Sequence, residues 1–301
     1  MTGFTESDVP ELNGQVYLVT GANTGIGLET SRVLAERGAR VLLGCRSADK
    51  AKAAIASIRE TAPEAELEHI ALDLGDLDSV RSAAEIVNNE QRLDGLINNA
   101  GIMMPPLEHT VQGFESQFGV NHLGPFALTA LLLPVLMATD DARVVNTSSI
   151  AHRGGNIDFD DINAEQGYNR AKRYGQSKLA NLLFSMELQR RLEAAQSTVT
   201  SVACHPGIAD TELSRHMPGI LKLTAPLVSK FFNTSAEGAW PTLMAATSDS
   251  VSGGDYFGPI KRGESAGPAG KARPNRRSQD PDLAARLWDL SIEMTGIDPG
   301  L

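Results

Sequence analysis

Gln15-Val16-Tyr17-Leu18-Val19-Thr20 runs straight into Gly21-Ala22-Asn23-Thr24-Gly25-Ile26-Gly27, and Leu28 to Arg37 follows in helical periodicity, closed by Gly38. The first run is short, apolar and β-branched, which predicts a buried strand. A strand, a glycine turn and a helix N-terminus in that order can cradle a phosphate. Glycines let the backbone approach the charged group, and the unpaired N–H groups and dipole of the first helical turn favour it. The spacing is G-x-x-x-G-x-G, not the G-x-G-x-x-G of the commonest dinucleotide fingerprint. Taken alone, the stretch reads equally as an ordinary glycine turn.

The alternation then continues. Arg40 to Gly44 reads as a strand with Cys45-Arg46 at its end, Ala48 to Thr61 as a helix, and Leu67 to Leu72 as a strand ending in Asp73-Leu74. Asp76 to Gln91 reads as a helix, and Leu93 to Ile97 as a strand running into Asn98-Asn99-Ala100-Gly101. Val111 to Met137 is largely helical in pattern, with breaks or kinks expected at Gly124-Pro125 and Pro134. Arg143 to Ser149 is the fifth strand and Thr198 to Ala203 the sixth, ending in His205-Pro206-Gly207-Ile208. This βαβ repetition predicts an α/β fold, a Rossmann-type doubly wound parallel sheet of about seven strands with helices on both faces. In such sheets ligands bind beyond the carboxyl ends of the strands, where Gly21, Arg46, Asp73, Asn98 and Ser149 all fall. An acid at the end of the second strand would hold an adenosine 2′-hydroxyl, and an arginine a 2′-phosphate. Arg46 without an acid points to NADP(H) rather than NAD(H), the alternative being a plain surface arginine.

Lys172 to Ala194 carries a helical pattern, and within it Tyr174 and Lys178 are spaced to share one face. An ammonium held beside a phenol favours the phenolate. That suits a general acid for carbonyl reduction or a general base for alcohol oxidation. The same pair also occurs as a packed ring beside a solvated charge.

Composition narrows the classes. The chain has 301 residues, 42% hydrophobic and 21% charged, as expected of a soluble globular protein, and its net charge of −10 argues against a nucleic-acid binder. Runs of about 18 or more apolar residues are absent, so no membrane span is expected. Two cysteines, Cys45 and Cys204, suit a reducing cytoplasm. Leu213 to Phe232 is too broken by Pro218, Gly219 and Pro226 for one helix and too apolar for a plain loop; a substrate lid over about 208–233 is the preferred reading, ahead of a structural cover and, with few basic residues there, a membrane-surface foot. Ser235 to Thr247 and Asp280 to Thr295 read as helices and Asp255 to Phe257 as a short strand. Lys261 to Arg277 is basic and rich in Gly, Ala and Pro, and reads as a solvated loop or an anion-binding patch. No repeat or linker divides the chain, so one domain over 1–301 is expected.

Read together, these residues resemble the short-chain dehydrogenase/reductase family over roughly residues 13 to 295. The glycine turn with Thr20, the Asn98-Asn99-Ala100-Gly101 run, Asn121, Ser149, Tyr174, Lys178 and Pro206-Gly207 match in order. Gly44-Cys45-Arg46-Ser47, Asn121-His122-Leu123-Gly124, Asn146 through His152, and His205-Pro206-Gly207 are similar to the retinol dehydrogenase and WW-domain oxidoreductase branch; protochlorophyllide reductases are similar in the same regions. The resemblance implies Tyr174 as proton donor or base and Lys178 as its partner and a ligand of the nicotinamide ribose. It implies Ser149 (with Ser148 as its rival) on the substrate oxygen and Asn121 on a water relay. Gly21, Asn23, Thr24, Gly25, Ile26 and Gly27 are implied to cradle the pyrophosphate, Arg46 the 2′-phosphate, Asp73 and Leu74 the adenine. Asn98, Asn99, Ala100, Gly101, Pro206 and Gly207 would line the cofactor cleft, and Ile208 and Thr211 would meet the carboxamide. The hydrophobic N-terminal anchor of membrane-bound retinol dehydrogenases and the WW modules have no counterpart in this sequence.

The expected protein is a cytoplasmic NADP(H)-dependent oxidoreductase that interconverts a ketone or aldehyde with an alcohol, taking a small, apolar substrate, with no metal, and forming a homodimer or homotetramer. The rivals are a non-catalytic NADP(H) sensor or scaffold, a nucleotide-sugar epimerase or dehydratase, and a light-dependent protochlorophyllide reductase-like enzyme.

Overall fold

Val16–Thr20 (β1) is buried along its whole length, as a strand covered on both faces must be. The computed structural model describes residues 3–208 and 233–301. Thr211 and the expected lid, apart from its two end residues, lie outside the described residues. β1 is flanked by Arg40–Cys45 (β2) and Gly95–Asn98 (β4), with Leu67–Ala71 (β3) outside β2. Arg143–Thr147 (β5), Thr200–Cys204 (β6), Tyr256–Lys261 (β7) and Ala266–Lys271 (β8) follow, giving the order β3-β2-β1-β4-β5-β6-β7-β8. Pairs up to β6–β7 are parallel and β7–β8 is antiparallel. The order reverses between β1 and β4, which opens a crevice at their carboxyl ends.

Side chains alternate between the two faces. Leu18, Leu42, Leu96 and Val144 pack under Leu77–Val87 (α3), Ser116–Met137 (α4), Arg170–Ala194 (α5) and Pro281–Thr295 (α7), through residues such as Val80, Phe126, Phe184 and Trp288. Val19, Leu43, Ile97, Val145 and Val202 face Gly25–Glu36 (α1), Ala48–Thr61 (α2) and Ser235–Thr247 (α6). The α/β architecture with helices on both faces is as expected.

Three details differ from the sequence reading. The sheet has eight described strands rather than about seven. β8 comes from within the stretch expected to be a solvated loop, and β7 extends to Lys261. Ala266-Gly267-Pro268-Ala269-Gly270-Lys271 has no apolar alternation; its place rests on main-chain pairing with β7, which no side-chain period reports. Two of the cations in the Lys261 to Arg277 stretch have partners within the protein: Lys271 bonds Asp255 at 2.8 Å and Arg277 donates to the Gly155 carbonyl at 3.0 Å. Finally, α4 is not broken at Gly124-Pro125 but loosens just before it, into a π-helical turn at Gly119–Leu123. Pro125 occupies the start of the next α-helical stretch, where a missing N–H costs little.

By length and composition α4 is long and apolar enough to cross a membrane, but 78% of that window is buried inside the protein. Its hydrophobicity is that of a helix inserted between α3 and α5.

Candidate active site

The glycine turn ends β1 and starts α1. Gly21 and Gly25 both have positive φ, 68° and 58°, which side chains disfavour. A Cβ on Gly27 would lie 2.4 Å from the Gly21 carbonyl and 2.5 Å from Asn99 Nδ2, so only glycine fits. Thr24 caps α1 without a side-chain hydrogen bond, whereas Ser47, Asp76, Asn169, Thr234 and Asp280 each cap their helices with one. Among the described residues, the first N–H groups of α1 therefore have no side-chain acceptor, and a pyrophosphate has the charge and oxygens to supply one.

Thr20, at the end of β1, ties this turn to the end of β4. Its Oγ1 accepts the N–H groups of Asn99 and Ala100, both at 3.0 Å, and its carbonyl accepts Asn99 Nδ2 at 2.8 Å. Asn98 turns the other way, into the core, donating to Thr129 Oγ1 and Asn146 Oδ1 at 3.0 Å. The side chain that meets the cleft is that of Asn99; the sequence placed the whole run Asn98 to Gly101 there, and the doublet offered no way to choose between its two asparagines.

Asn121 sits in the π-helical turn, a local widening that recurs at functional sites. Its Oδ1 accepts the Ile102 N–H at 2.7 Å, and its Nδ2 donates to the Ile102 carbonyl and to Ser177 Oγ, both at 2.9 Å. The amide thus pins the segment after β4 against α5. Lys178 is buried, and its Nζ donates to the Thr147 carbonyl at 3.1 Å and lies 5.8 Å from the centre of the Tyr174 ring. A Cβ on Gly101 would come 3.1 Å from Asn121 Oδ1 and 3.4 Å from Lys178 Nζ, so this glycine keeps the space in front of both side chains open.

Both serines stand where β5 ends. Ser148 is buried and donates its hydroxyl to the Lys178 carbonyl at 2.7 Å. Ser149 is partly exposed and caps a 3-10 turn, Ile150–Gly154, by accepting the Ala151 N–H at 3.2 Å. Ser148's proton is committed within the protein; Ser149's hydroxyl accepts from the Ala151 N–H and keeps a proton to give.

Beyond β6, Gly207 has φ 78° and lies so close to the β7–β8 turn that a Cβ would be 2.4 Å from the Ser265 carbonyl. The Ile208 N–H donates to that carbonyl, and Asn233 Nδ2 to the Pro206 carbonyl. Buried His205 accepts the Gly207 N–H at Nδ1, with Nε2 3.5 Å from Glu264 Oε2. Burial pulls its pKa down, so the ring is neutral and Nε2 carries the proton facing Glu264.

These ends converge on one cleft, walled by Ile26, Asn99, Gly101, Ile102, Met103, Thr147, Ser148, Tyr174, Lys178 and Pro206. At the far end of the crevice, Arg46 and Asp73 lie 3.7 Å apart, with Arg46 73% exposed. Asp73 also holds the Gly75 N–H. Leu74 is buried, its carbonyl packed against Gly124. No group of three or more His, Cys, Asp or Glu able to hold a metal occurs among the described residues.

A glycine cradle on an uncapped helix, a buried lysine beside a tyrosine, and Ser148 at a strand end share one crevice, with Ser149 next to it in the chain; the arrangement has the shape and charge to take a dinucleotide and the groups to move a proton. The model of the short chain dehydrogenase family matches residues 15–218. The chain is a short-chain dehydrogenase. It lies on the retinol dehydrogenase branch of the family. Human retinol dehydrogenase 12 is 44% identical over 290 residues, covering 95% of this chain and 88% of the relative. Human retinol dehydrogenase 14 is 43% identical over 305 residues, with the same coverage. A crystal structure of an uncharacterised protein from Mycobacterium paratuberculosis is 41% identical with a TM-score of 0.84, covering 100% of both chains. A short chain dehydrogenase from Shigella flexneri 2a str. 301 complexed with NADP is 26% identical with a TM-score of 0.65, covering 83% of this chain and 98% of that one. This short-chain dehydrogenase is accordingly an oxidoreductase.

Proposed function

We propose that the protein interconverts a carbonyl and an alcohol with NADP(H), Tyr174 moving the proton. The observation that carries this reading is buried Lys178, held by the Thr147 carbonyl beside the Tyr174 ring in the wall of the cleft. NADPH, when bound, supplies the hydride. Gly21, Gly25 and Gly27 admit its pyrophosphate, and α1 meets that charge with N–H groups. Arg46 offers the 2′-phosphate an exposed guanidinium, and the NADP complex of the Shigella flexneri relative agrees with that choice. Lys178 keeps a positive charge near the Tyr174 hydroxyl, which favours the phenolate and so eases release of its proton to the carbonyl oxygen. Ser149 donates to the same oxygen and steadies the charge that develops there. Asn121, whose side-chain amide is engaged with Ile102 and Ser177, would hold the water that links Lys178 to solvent as a proton relay.

Ile102 and Met103 in the cleft wall favour an apolar carbonyl, and the names of the relatives make a retinoid the first to try. Both cysteines are free and buried, which suits the proposed cytoplasmic setting. α7 covers the α4–α5 face, so the proposed dimer or tetramer uses another surface.

The test is NADPH oxidation by purified protein across aliphatic, aromatic, steroid and retinoid aldehydes and ketones, with NADH alongside. Tyr174→Phe is expected to lower turnover by about 10²-fold or more while NADPH still binds. Full activity in that variant removes the assignment.

A further inference from the structure

Ser149 is the first residue past the sheet on β5. The Ser148 N–H still bonds the Cys204 carbonyl on β6, but Ser149, extended at φ −159° and ψ 159°, is held from the other side. Its carbonyl accepts the His152 main-chain N–H at 3.0 Å and lies 2.6 Å from His152 Nδ1. A carbonyl oxygen cannot donate, so Nδ1 carries the proton. Nε2, in turn, lies 3.3 Å from the Asn275 N–H, a donor, and must offer its lone pair. Two backbone groups on opposite edges therefore fix one tautomer of a ring that is fully buried.

The surroundings hold that ring in place. Asn275 Nδ2 donates to the His152 carbonyl at 3.0 Å, and Asn275 Oδ1 accepts the Ser278 N–H at 2.9 Å. The Tyr256 ring stands edge-on at 5.5 Å between centroids, with its hydroxyl 3.4 Å from His152 Nδ1. Tyr256 is the first residue of β7, and Asn275 lies past β8. The C-terminal hairpin thus reaches back under the catalytic strand end, a connection that no pattern in Lys261 to Arg277 announces. The groups facing His152 are His205 from the end of β6, Arg153 from its own turn and Glu264 from the β7–β8 turn.

We propose that His152 is a positioning residue for Ser149: its Nδ1–H fixes the Ser149 peptide, and Asn275 and Tyr256 fix His152. With two donors on one carbonyl, the plane that carries the Ser149 side chain is set before substrate arrives. Protonating the ring would place an N–H against the Asn275 N–H and undo the clasp, so the neutral form is the working one; burial acts in the same direction.

This inference rests on the reading of Ser149 as the group on the substrate oxygen, and the experiment separates the two. His152→Ala, His152→Asn, Ser149→Ala and the double variant His152→Ala/Ser149→Ala are compared, using NADPH and the best carbonyl from the panel, all-trans-retinal first. A misplaced catalytic group costs about 10²-fold in rate. His152→Ala is expected to lower kcat by about that factor with KM and NADPH affinity nearly unchanged. Asn places an amide N–H where Nδ1 was, so His152→Asn is expected to restore most of the rate. On the Ser149→Ala background, His152→Ala is expected to cost little more, because the residue acts through that serine. An equal loss on both backgrounds, or no rescue by asparagine, overturns the proposal and leaves His152 a packing residue. Full activity of Ser149→Ala removes the underlying assignment instead. One readout needs no turnover: nitrogen NMR of the protein labelled at histidine is expected to show His152 protonated at Nδ1 alone, and protonation at Nε2 overturns the proposal whatever the substrate.

Discussion

Arg46 and Asp73 mark the end of the crevice to which we assign the proposed cofactor choice. Arg46 is exposed and only 3.7 Å from Asp73, so its charge is partly answered by a neighbour already present. Arg46→Asp places two carboxylates there, which repels a 2′-phosphate and suits a free 2′-hydroxyl. The ratio of NADPH to NADH efficiency is expected to fall by about tenfold or more, a change of roughly 1.4 kcal/mol in relative binding. An unchanged ratio measured by steady-state kinetics sinks the role given to Arg46. At this scale the sequence was legible wherever a residue type has few uses. Gly21, Gly27, Lys178 and Tyr174 stand at one cleft because their spacing reports both element and chemistry. It was less legible at Asn98 and Ser148, which are doublets: two like residues on a strand end face opposite ways, and only the fold shows which turns inward. His152 and Asn275 were unreadable as partners because they are distant in the chain and joined by backbone groups.

Helix α1 and helix α7 show what an element adds beyond its residues. In α1 the absent side-chain cap and the close approach of Gly27 to Gly21 and Asn99 form one device. Gly27→Ala is expected to leave the protein folded but to weaken NADPH binding by about tenfold or more, since an intruding methyl forces shifts that commonly cost about 1–3 kcal/mol. Titration of cofactor fluorescence checks it, and native affinity counts against the cradle. In α7, buried Trp288 packs on Phe126 of α4 at 5.2 Å and Phe184 of α5 at 5.9 Å, with the Arg191 guanidinium 4.5 Å from its ring. Trp288→Ala is expected to lower unfolding free energy by about 3–5 kcal/mol in urea. A loss under about 1 kcal/mol would mean that α7 is not part of the cooperative core. Strands β1, β2, β4, β5 and β6 were legible because apolar runs between turn signals report burial on two faces; β3, at the sheet edge with only Ile70 buried, was legible from its place in the βαβ alternation. β8 was not, because a strand of Gly, Ala and Pro paired at one edge has no such signal.

Across the whole molecule, three histidines are carried in the interior without charge. Burial pushes His122 down to about 3, and lowers His152 and His205 as well. Above about pH 6.5 folded and unfolded chains bind the same protons at these sites. Below that, the unfolded chain takes up protons that the folded one refuses, so stability falls with pH, for His122 down to about pH 3. Glu187, held low by Arg190 and Arg191 against the opposing effect of its burial, acts in the same direction at lower pH. The melting temperature is expected to drop steadily from about pH 6.5 to about pH 4.5. His122→Gln is expected to flatten part of that slope; a flat profile in the parent protein contradicts the account. The same interior has a consequence for synthesis. The 22-residue helix α4 owes its dryness to α3, α5 and α7, and α5 and α7 emerge from the ribosome after it. Until then an apolar rod long enough for a bilayer is on offer to water, to neighbouring nascent chains and to any factor that recognises hydrophobic segments at the exit tunnel. The hazard for this protein in the cell is therefore one of timing: the helix that makes the finished molecule rigid makes the unfinished one sticky.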